Sequence, residues 1–377
     1  MAQRETILVP VDFSETSRLA VQRALGLASA RGARIALLHA CSMPPIGLEP
    51  GFSESLSREL ARTEEKRLAD FANEVDDGVV DVSTSFRQTD PARAIHEAAR
   101  DPDVSMIVMG SHGRRGFDRW LLGSVAARTV EGAPKPVLIV RGDEETCAAP
   151  FRSILFATDF SDRAQRVEPL VADWARRFGA EVEVVHVIRE TSVLLAPYAV
   201  VGSSDFEGEM FEAAECRMAE VLRRLGEHGV YAKSKIVYGL PAEEILRRAE
   251  STNVDLVAVG TRGYSGMQRF LLGSVAQRVL AQAPCSVIVD GDEAVMNGGR
   301  SMVAELRAES SEVSMAVHVA VESVVQASER APGRAEAAVE AEPPMPEAEG
   351  FATRIFALGI GFCFSVIVGM IFFGFYL

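Results

Sequence analysis

Glycine, serine and aspartate recur in this chain at a spacing suited to an anion. Gly110, Gly113, Gly123 and Ser124 form G-x2-G-x9-G-S, and Gly260, Gly263, Gly273 and Ser274 repeat it. Each copy begins where an apolar, strand-like run ends, and its last glycine opens a helix. A glycine has no side chain to hold a phosphate off the backbone. The free N–H groups and positive end of the helix then attract negative charge. Ser124 and Ser274 add hydroxyl donors. The plainer alternative is that the glycines only make tight turns and cap helices. Asp12 and Asp159 each end another strand-like run. A carboxylate there either faces a ligand or favours the N-terminus of the helix that follows.

Other candidates are weaker. Arg119 and Arg269 lie four residues before the third glycine of each copy, where they reach a phosphate or simply point into solvent. His39 and His186 occupy matching places in apolar strands, which favours a packed, hydrogen-bonded histidine over a catalytic one. His112 has Arg262 as its counterpart. There is no Gly-Lys dipeptide, hence no P-loop, and neither HExxH nor G-x-S-x-G occurs. No paired carboxylates accompany an obvious nucleophile. These residues point to a protein that holds a ligand and is not an enzyme. Cys41, Cys147, Cys216, Cys285 and Cys363 form no CxxC pair and no metal-like spacing, as expected of a reducing compartment.

The elements that must position these groups come in two rounds. ILVPVDFSE at 7–15 matches ILFATDFSD at 154–162, an offset of 147, whereas the glycine motifs are offset by 150. The three-residue difference is expected within the variable stretches 41–53 and 188–206. Apolar runs at 7–11, 34–40, 79–86, 103–109 and 136–140 read as strands; periodic segments at 14–31, 54–76, 91–100 and 117–131 read as helices. The second round has strands near 153–157, 181–187, 230–237, 254–259 and 285–289. Strand–helix alternation with almost wholly apolar strands predicts an α/β fold: two tandem doubly wound parallel sheets covered on both faces. The expected domains are 1–145 and 150–290.

Residues 291–350 carry 12 acidic side chains and 4 arginines. The part from 331, rich in Ala, Glu and Pro, reads as an extended linker, and 302–326 as a weak amphipathic helix or an irregular segment. Residues 355–377 are 23 without a charge. As a helix they would span roughly 35 Å, enough for a bilayer core of about 30 Å. Gly361, Ser365 and Gly369 would give that helix a small-residue face. The expectation is a C-terminal transmembrane anchor in a lipid bilayer. With no secretory signal at the N-terminus, the soluble domains are expected in the cytosol, on the cytoplasmic membrane. The formal net charge of -14 argues against a nucleic-acid partner.

The motif spacing, with aspartate at the end of the first strand, resembles the ATP-binding branch of the universal stress protein family over about 5–141 and 152–290. The resemblance implies a Rossmann-like fold with an adenine nucleotide, ATP or another, across the carboxyl ends of the strands. Asp12 and Asp159 would face the adenosine, with Pro10, Val11, Ala157 and Thr158 on the same wall and Ala40 and Val187 against the base. Met109, Gly110, Ser111, Gly113, Gly123, Ser124 and Val125 would hold ribose and phosphates. Val259, Gly260, Thr261, Gly263, Gly273, Ser274 and Val275 would do so in the second half. The last strands, Val137–Val140 and Ser286–Val289, would pair as an intramolecular pseudo-dimer; a homo-oligomer and a metal requirement stay open. The implied role is a membrane-tethered stress-response regulator with a transporter or channel partner. The alternatives are a nucleotide-free adaptor and a slow ATPase.

Overall fold

The structure is a computed structural model that describes residues 4–42, 50–76, 78–112, 122–189, 203–261 and 272–291. These belong to one compact unit, Met1–Met302. The linker, the 302–326 segment and the uncharged run 355–377 lie outside the described residues, as do Gly113, Gly263, Arg119 and Arg269. Among the described residues no helix is long and apolar enough to cross a membrane.

The first half contains β1 (Thr6–Pro10), α1 (Glu15–Arg31), β2 (Arg34–Ala40), α2 (Pro50–Val75), β3 (Val82–Arg87), α3 (Pro91–Ala98), β4 (Val104–Gly110), α4 (Ser124–Gly132) and β5 (Val137–Val140). A short helix, α5 (Glu144–Ala148), links it to the second half. There follow β6 (Ser153–Ala157), α6 (Asp162–Phe178), β7 (Glu181–Ile188), α7 (Ser203–Glu227), β8 (Ala232–Tyr238), α8 (Pro241–Thr252), β9 (Leu256–Val259), α9 (Ser274–Gln282) and β10 (Ser286–Val289).

All ten strands form one sheet in the order β3-β2-β1-β4-β5-β10-β9-β6-β7-β8. Each half is parallel, and successive residues of a strand alternate between faces. Ile7 and Val9 pack in one core layer and Leu8 in the other. Both faces of the inner strands β1, β4, β5, β6, β9 and β10 are covered, which is why these are almost wholly apolar, whereas the outer strands β3 and β8 keep exposed polar residues. The strand order reverses between β1 and β4, and again between β6 and β9. Those reversals open a crevice beyond the carboxyl ends of the strands, where doubly wound sheets take ligands.

The expected elements are present with shifted bounds. The three-residue difference falls between the second and third strands of each half: Ile35 pairs with Val82, whereas Val182 pairs with Ala232. The helix expected over 117–131 is described only from Ser124. Gly123 is its N-cap at φ −61°, ψ 148°, and the Gly123 N–H donates to Ser111 O at 2.7 Å. That bond turns the chain and delays the helix. The helix expected over 54–76 begins earlier, at Pro50. The linker helix α5 was not expected; it is too short for a periodicity signal and rests on a capping box between Asp143 and Thr146.

The two last strands were expected at sheet edges, pairing with one another. They do pair, Val287 with Ile139 and Ile288 with Leu138, and the pairing is antiparallel. Two five-stranded sheets therefore become one, with these strands at its centre and no edge left between the halves. Arg141 reaches across the seam. Its guanidinium donates to the carbonyls of Leu280, Ala281 and Ala283 at 2.6, 3.0 and 3.1 Å. The last turn of α9 thus has its orphan carbonyls satisfied by a cation from the other half. Gly291 lies against the Lys135 backbone, where an added Cβ would stand 2.3 Å from a carbonyl carbon.

Candidate functional site

Each strand-to-helix turn is built by its aspartate. Asp159 Oδ1 accepts from Ser161 N at 3.0 Å and Ser161 Oγ at 2.5 Å, while Ser161 caps α6 through Ala164 N. Between them Phe160 takes φ +62°, and Phe13 takes φ +64° at the matching point. A bulky residue in the left-handed region is strained, at a cost of roughly 1–3 kcal/mol. The ring offsets part of that cost. Phe160 packs on His186 at 4.2 Å between centroids, and Phe13 on His39 at 4.5 Å.

The two histidines serve this turn. His186 Nδ1 lies 2.8 Å from Thr158 O, and His39 Nδ1 lies 2.7 Å from Val11 O. A carbonyl can only accept, so Nδ1 carries the proton in both. Burial holds the His186 imidazole below its usual pKa and Arg217 adds to this, against the Thr158 carbonyl and the Asp159 carboxylate. His186 is therefore neutral at pH 7, with Nε2 an acceptor.

The glycines divide into two kinds. Gly110 and Gly260 are needed for packing: a Cβ on Gly110 would stand 2.9 Å from Thr16 Cβ and O, and one on Gly260 3.1 Å from Ala164 N. Their bare backbones let the start of α1 or α6 close on the strand end. Gly123 and Gly273 have backbone angles open to any residue. What they contribute is an uncapped helix. Ser14, Asp90 and Ser161 cap α1, α3 and α6 with a side-chain oxygen, whereas α4 and α9 have no side-chain cap. The cap N–H itself is occupied, since Gly273 N donates to Thr261 O at 2.9 Å as Gly123 N does to Ser111 O. The first-turn N–H groups, from Ser274 and Val275 or from Ser124 and Val125, are the ones that an anion can take.

In the second half these groups line a cavity of about 560 Å³. It contains every described second-half candidate: Ala157, Thr158, Asp159, Val187, Val259, Gly260, Thr261, Gly273, Ser274 and Val275. The sequence reading missed the far wall. Met210, Ala213, Ala214 and Arg217 come from α7, and Pro241 and Ile245 from α8. The 150-residue offset, applied to the α2 and α7 segments, was the signal available for them.

In the first half Pro10, Val11, Asp12, Ala40, Met109, Gly110, Ser111, Gly123, Ser124 and Val125 occupy equivalent places at the ends of β1, β2 and β4 and the start of α4. Asp12 is more heavily engaged than Asp159. Its Oδ1 accepts from Ser14 N at 3.1 Å and from the hydroxyls of Ser14 and Ser17 at 2.5 Å each. Ala164 stands where Ser17 does. Thr16 Oγ1 donates to His112 O, and Ser111 Oγ lies 2.9 Å from His112 Nδ1. Among the described residues no group of three His, Cys, Asp or Glu side chains could hold a metal ion.

The comparisons with known proteins agree with this architecture. The profile of the Universal stress protein family matches residues 3–141 and again 150–290. A universal stress protein of Mycolicibacterium smegmatis is 28% identical over 293 residues, covering 75% of this chain and 96% of its own length. One from Methanocaldococcus jannaschii is 33% identical over 140 residues, 37% of this chain and 81% of the relative. The crystal structure of a universal stress protein from Archaeoglobus fulgidus shares the fold at a TM-score of 0.59 and 23% identity, covering 77% of this chain and 99% of the other. Two matched copies, joined in one sheet and each carrying the aspartate and the glycine-started helix, place this chain in the universal stress protein family as a tandem member.

Proposed function

We propose that this stress-response protein is a regulatory receptor for an adenine nucleotide of the ATP class, with the cavity of the second half as its site. The observation that carries the reading is that cavity of about 560 Å³, lined both by an aspartate and by an uncapped helix N-terminus. In this reading the Asp159 carboxylate accepts hydrogen bonds from the adenosine. The base lies on Val187 and Ile188. The phosphates take the N–H groups of Ser274 and Val275 and the Ser274 hydroxyl. Gly260 and Thr261 form the floor. No group is assigned to abstract a proton or to attack a phosphorus, so the role is binding without turnover.

Binding of ATP to the folded state alone should raise the unfolding free energy by about 2.7 kcal/mol when ATP is at 100 times its Kd. A thermal melt of the full-length chain with and without ATP measures this, and GTP serves as the control. No shift at millimolar ATP removes the reading.

The uncharged run 355–377 supports a second element of the proposal, a bilayer tether behind an acidic linker. Full-length protein should stay in the membrane pellet after a carbonate wash, and a chain cut at residue 350 should be soluble. Recovery of the full-length chain in the wash supernatant would end the tether reading. A membrane protein is then the natural class of partner for the nucleotide-dependent signal.

A further inference from the structure

The two clefts differ in charge at one position of the helix that covers them. Ala214 of α7 lines the second cavity beside His186. The 150-residue offset that relates the third strands relates α2 to α7, and it puts Glu64 where Ala214 stands. The Glu64 side chain carries four heavy atoms more than the alanine methyl, and it ends in a carboxylate. That carboxylate lies 3.4 Å from His39 Nε2 and 3.8 Å from Arg67 Nη1. His39 is the partner of His186, and Arg67 of Arg217. In the first half, then, a carboxylate fills the place that in the second half is open cavity wall.

Two further exchanges act in the same direction. Phe71 stands for Val221 and packs edge-on against Phe13 at 5.5 Å between centroids. Phe86 stands for Ile236 and stacks on His39 at 5.8 Å; the strand registers pair His39 with Phe86 and His186 with Ile236. Arg67 also covers the Phe13 ring at 4.3 Å. The side chains that meet the Asp–Phe turn of the first half are thus packed on one another. Glu64 adds a second carboxylate to a cleft that already holds Asp12, and like charges disfavour a polyanion.

We propose that Glu64 closes the first cleft to nucleotides and that Ala214 leaves the second open, so the chain carries one nucleotide rather than two. The inference rests on the nucleotide reading of the second cavity. It makes this one α2/α7 position the determinant of which half binds. A nucleotide entering the first half would have to push the Glu64 side chain out of its place beside His39 and Arg67 or stand against its negative charge. In the second half the matching residue is Ala214, whose methyl brings no charge to the cavity that His186 lines.

Equilibrium dialysis of the full-length chain against labelled ATP tests the inference. The parent should bind one ATP per chain. Glu64→Ala should bind two. Ala214→Glu should bind its single ATP at least about tenfold more weakly, with an unchanged circular dichroism spectrum. Ala214→Glu lies in the other half from the Glu64 network, so it decides the matter even where Glu64→Ala does not fold. Two sites in the parent overturn the closure while leaving the nucleotide reading intact. Unchanged affinity in Ala214→Glu overturns it also. No binding by the parent removes the nucleotide reading itself, and this inference with it.

Discussion

Gly273→Asp should weaken nucleotide binding about 100-fold without weakening the fold. Gly273 is the N-cap of α9 at φ −62°, ψ 144°, and no side chain caps that helix. Those angles suit aspartate, which is among the best N-cap residues. Its carboxylate would accept from the first-turn N–H groups and favour the positive end of the helix, worth about 0.3–1 kcal/mol. The same N–H groups are those assigned to the phosphates. A fixed negative charge there both occupies the donors and repels the ligand. We expect ATP affinity to fall about 100-fold, near 2.8 kcal/mol at 1.4 kcal/mol per decade, while the melting temperature holds or rises. Calorimetric titration and a thermal melt of the same sample give both readings. Unchanged affinity would show that the start of α9 is not where the anion binds.

Val287→Asp should cost more stability than any change at the surface. Val287 is fully buried in β10 and faces Ile139 of the other half across the antiparallel seam. Ile139, Leu138 and Ile288 are buried to 1% exposure or less. Arg141, the cation that crosses the seam, is already held by the carbonyls of Leu280, Ala281 and Ala283, and burying an unpaired charge is among the few changes that exceed about 4 kcal/mol. Against a typical total of roughly 5–15 kcal/mol, this is a large share. Urea unfolding followed by circular dichroism should show the midpoint lowered steeply, with cleavage between the halves near α5 appearing early in limited proteolysis. Val79, at 75% exposure, provides the control: Val79→Asp should unfold with the parent. An unshifted midpoint for Val287→Asp would mean that the seam does not hold the halves together.

The repeat and the strand–helix alternation were legible because they are local. A strand buried on both faces must be apolar throughout, and Met106–Met109 and Ile7–Val9 are so. The glycine spacing likewise marked α4 and α9, which begin without a side-chain cap, and the Asp-Phe-Ser runs marked the turns beside them. The histidines, too, were read as packed groups from their place in apolar strands, and each does bond a carbonyl of the neighbouring strand end.

What the sequence left open depends on residues far apart in the chain. Gly110 looked like a phosphate contact, yet its missing Cβ makes room for Thr16, 94 positions earlier. The pairing of β5 with β10 was expected from the family resemblance alone; that it is antiparallel and makes one ten-stranded sheet is not written in two short apolar strands alike in sequence to any others. Arg141, which no motif or periodicity singles out, completes the end of α9. The difference between the clefts is likewise a matter of packing. Glu64 lies in a helix whose other face is charged and solvated, and nothing in its neighbours in sequence says that its carboxylate turns inward to His39. Periodicity reports which face of an element is buried. Only the packed structure decides which side chain of another element fills the space opposite, because that depends on the volumes and charges of partners the local pattern does not contain.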